Sequence, residues 1–205
     1  MRTRVKPPAR RRQPTQSRAQ ETVKSILDAV VQLLKRGGAM AITTNRIAET
    51  AGVSIGSVYQ YFPDKQAIFI ALHEQHIHQV DQALLRKIDE NAGESLDHLI
   101  AGLLDGMIEV HTSDFELAVL LDSEVPHRAD SAREFSVRLH EPFRKALEPH
   151  AEILGGAVRL ELRAFLLANM LEALGHAVVL RRPRVLSLRR AKIEAVRAIL
   201  ASLKS

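Results

Sequence analysis

Between residues 51 and 69 the chain reads "AGVSIGSVYQYFPDKQAIF", where two glycines, two serines, two glutamines and both tyrosines of the protein stand among few apolar residues. Groups of this kind donate and accept hydrogen bonds without bulk, which suits them to polar edges and phosphates and not to a core. Farther on, "HEQHIH" at 73–78 sets imidazoles beside a carboxylate. It is not the His-Glu-x-x-His of zinc proteases, since His73 and His76 are three apart and the required second His position holds Ile77. A solvated helix surface, or the hinge side of a helix, is the expected role of these histidines. The chain has no cysteine, which excludes disulfides, thiolate nucleophiles and thiolate metal ligands. Its serines, histidines and carboxylates form no nucleophile elbow, triad or Gly-rich phosphate loop, so the expectation is that it is not an enzyme and holds neither cofactor nor metal.

Short helices must position the first group of residues. Thr43 is placed to cap a helix reaching Glu49 or Thr50, Gly52 to end it in a left-handed turn, and Ser54 to cap the next helix, which reaches Tyr61 or Phe62. Ala48 allows a close crossing, and Val58 points back toward Ile47, Ala51 and Val53. With Val58 inward, a turn of 100° per residue leaves Gly56, Ser57, Tyr59 and Gln60 largely on the other side. This is a helix-turn-helix, and its second helix is short and slim enough for a major groove about 12 Å wide. Gln60 and Ser57 can bond base edges, and Ile55 and the Tyr59 ring can pack on thymine methyls. Thr43, Thr44, Ser54, Tyr59, Tyr61 and Lys65 can hold phosphates. Arg46 and Lys65 are cations early in their helices, where the dipole opposes them unless an anion is shared.

The stretch "TTNRIAETAGVSIGSVYQYFPDKQAIF" resembles the DNA-binding segment of the TetR family of bacterial transcription regulators, and the likeness covers about residues 20 to 70. Ala48, Gly52, Val53, Ser54, Gly56, Tyr59, Tyr61, Phe62 and Lys65 fall in the family register. The resemblance implies a three-helix DNA-binding domain, a homodimer and an effector-binding C-terminal domain. It assigns operator contact to Ser54, Ile55, Gly56, Ser57, Tyr59, Gln60, Tyr61 and Lys65, and a phosphate to Thr43 or Thr44. Two departures stand out. Arg46 occupies a position where many members carry an acid, which loses a capping box and adds a candidate phosphate contact, and Tyr61 replaces a common His.

The rest of the chain reads as helix. Aromatic content is 4%, alternating β-branched runs are missing, and apolar residues recur at steps of three and four, an all-α signature of about nine helices. Beyond a helix from Gln20 to "RGG" and a long one after Pro63, helices are expected at about 95–112, 115–121, 131–147, 152–181 and 188–203. The resulting division is a basic flexible arm at 1–19, the DNA-binding domain at 20–70 and an effector-binding and dimerisation domain at 71–205. Residues 1–25 carry eight basic side chains against Glu21 alone, although the whole chain is only +5, so the excess positive charge sits at one end. Such an arm is either a solvated tail or a strip that lies on phosphates.

Ala164 to Leu180 is apolar nearly all round and must be buried on two sides, and the last helix offers a second apolar stripe. Two such helices from each of two subunits would make a four-helix interface, for which Glu172, His176, Val179, Ile193, Val196 and Leu200 are the candidates. Glu172 pairing with His176 fits that seam, or else the polar end of a ligand cavity. Met107, His111, Phe115, Phe135, Asn169 and Met170 are candidates for an effector pocket, with plain core as the alternative. The expected partners are double-stranded operator DNA, a second copy of the chain and a small-molecule effector, in the cytoplasm and away from any membrane. A regulator without an effector, either an architectural DNA binder or an activator, is the alternative.

Overall fold

Helical periodicity carries through the chain, and the computed structural model describes residues 14–125 and 129–205 as nine α-helices with no strand among them. Two units divide the chain, one ending at Ile68 and the other spanning Phe69–Ser205.

In the first unit α1 (Pro14–Gly37) buries Ile26, Leu27, Val30, Leu33 and Leu34 along one face. It starts earlier than the expected Gln20, so residues 14–19 of the supposed flexible arm are helical. Pro14 explains this, because its fixed φ suits a first helical position where no N–H is needed. Residues 1–13, most of that arm, lie outside the described residues. After a 3-10 turn at Ala39–Ala41 come α2 (Thr44–Ala51) and α3 (Ile55–Tyr61). Helix α4 (Lys65–Glu90) begins beyond Pro63, with the Asp64 carboxylate accepting the Ala67 N–H at 2.8 Å.

The second unit packs most of α4 with α5 (Leu96–Ser113), α6 (Phe115–Glu124), α7 (Ala129–Leu147), α8 (Leu160–His176) and α9 (Leu188–Lys204). Its core centres on Leu84, Ile100, Leu103, Leu104, Phe143, Leu167, Leu171 and Ile199, all essentially inaccessible. The expected single helix over 152–181 is instead broken. Gly155 and Gly156 adopt φ of 88° and 93°, which end the preceding turn, and α8 starts only at Leu160. It closes with a π-helical turn, Ala177–Arg181. The stretch Ala157–Arg181 is long and apolar enough to cross a membrane. Core burial accounts for much of that composition, since Leu160, Ala164, Leu167, Ala168, Leu171, Val178 and Val179 are buried. Arg163 is buried as well, and ties α8 to the end of α9 by donating to the Ser202 carbonyl at 3.1 Å.

Candidate nucleic-acid interface and cavity

The turn between α2 and α3 is set by backbone chemistry. Gly52 takes φ 68°, a left-handed conformation that is cheap only without a Cβ, and its N–H closes α2 on the Ala48 and Glu49 carbonyls. Thr43 Oγ1 accepts the Arg46 N–H at 3.3 Å and caps α2. Ser54 Oγ accepts the Ser57 N–H at 3.0 Å and caps α3, and it also shares a 2.8 Å hydrogen bond with the Ser57 hydroxyl. The Thr43 hydroxyl accepts at one lone pair and has its own proton to donate, and the bond between Ser54 and Ser57 uses one of their two hydroxyl protons and leaves the other, which is what a phosphate rim needs.

Inside, Val58 and Ile47 are fully buried, with Ala48 and Phe62 nearly so. Outside, Thr43, Arg46, Ser54, Ile55, Gly56, Tyr59, Gln60 and Lys65 are exposed, and Thr44, Ser57 and Tyr61 are half-buried. The result is one polar, small-residue face, with Ile55 and Tyr59 adding 40% and 53% exposed apolar surface to it.

The second unit contains a cavity of about 50 Å³. Helix α4 gives it His73, His76, Ile77 and Val80, α5 gives Met107 and His111, α7 gives Phe135 and Arg138, and α8 gives Glu172 and His176. The His111 ring stands between His76 and His176, edge-to-face with each at 4.8 Å between centroids. His111 Nδ1 lies 2.7 Å from the Met107 carbonyl oxygen, which can only accept, so Nδ1 carries the proton. Its Nε2 is buried with no hydrogen-bond partner among the described residues.

Burial, reinforced by the neighbouring His111 and His73, lowers the His76 pKa to about 4. Burial also lowers that of His111, against the opposing pull of its Met107 bond and of Asp122. Both imidazoles are therefore neutral near pH 7. Arg138 is held by Asp81, with Nε 2.7 Å from a carboxylate oxygen, and Glu172 lies 3.8 Å from His176 Nδ1. No three His, Asp or Glu side chains among the described residues are placed to hold a metal ion.

Family models match both units: the one described as bacterial regulatory proteins, tetR family, covers residues 26–72, and the tetracyclin repressor-like C-terminal domain covers residues 95–203. The chain belongs to the tetR family. Among curated proteins, the fatty acid metabolism regulator protein of Bacillus subtilis is 25% identical over 131 residues, which is 64% of this chain and 63% of that one. The transcriptional repressor KstR of Rhodococcus jostii is 36% identical over 61 residues, 30% of this chain and 29% of that one. The match thus spans less than two thirds of either relative. The solved structure of the fatty acid degradation regulator FadR from Bacillus halodurans shares the fold, with a TM-score of 0.59 and 18% identity over 95% of this chain and 99% of that chain.

As a TetR-family member the protein is a DNA-binding transcriptional regulator, and α2 and α3 form its helix-turn-helix. Of the residues expected to line an effector pocket, Met107, His111 and Phe135 do line the cavity. Phe115 does not, because it begins α6 at the surface and is 47% exposed. Asn169 does not line it, donating instead to the Phe165 carbonyl at 2.7 Å and to Ser136 Oγ on α7 at 3.4 Å, and Met170 packs half-buried against the core.

Of the expected interface residues, Glu172 and His176 face the cavity instead. Val179 is 3% exposed and belongs to the unit's own core, so it cannot present itself to a second subunit. Ile193 is 40% exposed, whereas Val196 and Leu200 are half-buried beside the core. Sequence reasoning missed His73, His76, Ile77, Val80 and Arg138 as cavity residues. The only signal was the i, i+3, i+4, i+7 spacing from His73 to Val80, which marks one helix face.

Proposed function

We propose that this TetR-family regulator is a repressor that occupies a palindromic operator as a homodimer and leaves it when a small molecule enters the cavity of the second unit. One observation carries the reading: α4 begins with Lys65, directly after the recognition helix, and farther along supplies four of the cavity-lining residues. A ligand that shifts α4 therefore acts on the helix that follows α3. Such a ligand releases DNA only to the extent that it binds the released arrangement more tightly than the DNA-bound one.

Leu162 and Phe165 on α8, with Ile193 on α9, are 53%, 50% and 40% exposed and supply apolar surface for a second copy. A two-fold pair of α3 helices would read half-sites about 34–36 Å apart. Thr43, Thr44, Arg46, Tyr61 and Lys65 would hold the phosphates, Ile55, Gly56, Ser57, Tyr59 and Gln60 would meet the bases, and Ser54 would touch the backbone at the helix start. The basic residues at 1–13 would add attraction to phosphates. In this reading the protein acts in the cytoplasm and catalyses nothing.

The test uses a duplex selected by the protein from a random library, with electrophoretic mobility measured with and without fractions of a cell metabolite extract. Release by a fraction, from a complex containing two chains, is the expected result. Retention in every fraction would make the protein an effector-independent architectural binder.

A further inference from the structure

We propose that the cavity takes a hydrogen-bond-donating head group, an ammonium or hydroxyl carried on a short apolar body, with the Nε2 lone pair of His111 as its anchor. The proposal rests on the effector reading above and narrows its chemistry.

His111 is 1% exposed, and its Nδ1 proton is committed to the Met107 carbonyl. What remains, on a residue that lines the cavity, is a buried acceptor with no donor among the described residues. An unpaired buried acceptor is destabilising unless something entering the site supplies the proton. Two of the other polar groups favour the same kind of guest. Glu172, itself 3.8 Å from His176 Nδ1, brings an acceptor-only carboxylate to the lining, while the guanidinium of Arg138 is held by Asp81 through two hydrogen bonds. A carboxylate or phosphate head would thus meet the lone pair of His111 and the carboxylate of Glu172 with no uncommitted arginine to offset them.

Size narrows the choice further. A cavity of about 50 Å³ holds roughly three or four water-sized groups, enough to enclose a head group. Ile77, Val80 and Met107 give that head an apolar collar. A preformed metal centre is not the reading, since no three His, Asp or Glu side chains among the described residues are placed to hold an ion. Ammonium and hydroxyl heads share the donor; the carboxylate of Glu172 ranks the ammonium first.

The test uses the full chain labelled with ¹⁵N-histidine and three probes of equal length: n-propylamine, 1-propanol and propionate. Propylamine is expected to shift the His111 Nε2 resonance saturably, propanol at higher concentration, and propionate at least tenfold more weakly than propylamine. His111→Phe should abolish the saturable response of His76 and His176. His111→Gln, which keeps an acceptor, should retain a weakened one. Circular dichroism checks each fold, and the probe series on the unaltered chain decides the matter even if a variant does not fold.

Propionate binding as tightly as propylamine would overturn the proposal. So would a cavity that holds only water, with Nε2 unmoved by every probe, and so would stoichiometric Zn²⁺ ligated by the three imidazoles. Propylamine binding that leaves DNA in place would keep the head-group assignment and sink the effector reading. DNA released by propionate, with no propylamine binding, would do the reverse.

Discussion

In the first unit the groups we assign to DNA come from one stretch between Thr43 and Lys65 and stand largely at the surface, whereas in the second those we assign to a ligand come from four helices between His73 and His176 and line a cavity. The contrast follows from what each must touch. A duplex is larger than the helix that reads it, so α3 needs only a rigid inner side, built on Val58 and Ile47, and a bare outer one. A small ligand has to be surrounded, so its binding groups must be desolvated before it arrives. Substitutions on α3 can therefore change binding with little effect on folding, while the cavity carries its polar groups at a cost in stability.

Acid should separate the two units most strongly. His76 has a pKa of about 4 in the folded chain and about 6.5 when unfolded. Between those values the unfolded chain binds the proton and the folded one does not, so stability is complete above about pH 6.5 and falls as pH drops toward 4. The loss should reach about 2–3 kcal/mol in the second unit, and His111, shifted in the same direction, adds to it. No histidine lies before His73. Both tyrosines, Tyr59 and Tyr61, lie in the first unit and the chain has no tryptophan, so tyrosine fluorescence follows that unit alone. In thermal melts at pH 7 and pH 4.5, the helical signal of circular dichroism should lose stability by that amount while the tyrosine-reported transition moves far less. Equal shifts would erase the distinction.

The same contrast decides what could be read from the sequence. Every part of the recognition element is local: Ser54 caps, Gly52 turns and Val58 anchors within a few residues of one another, so spacing alone located α2, α3 and their exposed face. The cavity is a product of packing between distant helices. Periodicity identifies the inward face of α4 or α8 but not which helix will cover it, and so His73 and His76 read as solvated surface or hinge, and Glu172 and His176 as a subunit seam or the polar end of a cavity. Phe115 failed for a related reason, since aromatic character says nothing of position when a residue opens a helix at the surface. The break before α8 could have been anticipated from Gly155 and Gly156, whose left-handed conformations override the apolar pattern around them.

A smaller effect tests the outer rim of the reading face. Lys65 is exposed at the first turn of α4. Replacing it with Ala should weaken binding to all duplexes alike and lower the slope of log affinity against log salt by about one unit. Fluorescence anisotropy titrations on two unrelated duplexes at several salt concentrations would check this. A loss confined to one duplex would remove Lys65 from the phosphate contacts.

In the proposed function the outer face of α3 is bare because DNA occupies the space. Gly56 tests it most directly, because a Cβ built there meets nothing nearer than Ser54 Oγ at 3.7 Å, an ordinary contact. Gly56→Ala should therefore fold at least as well as the native chain, with up to about 1 kcal/mol gained from helix propensity. Measured together, its melting temperature should hold or rise while its affinity for the selected duplex falls at least tenfold. An unchanged affinity in a folded variant would contradict the account.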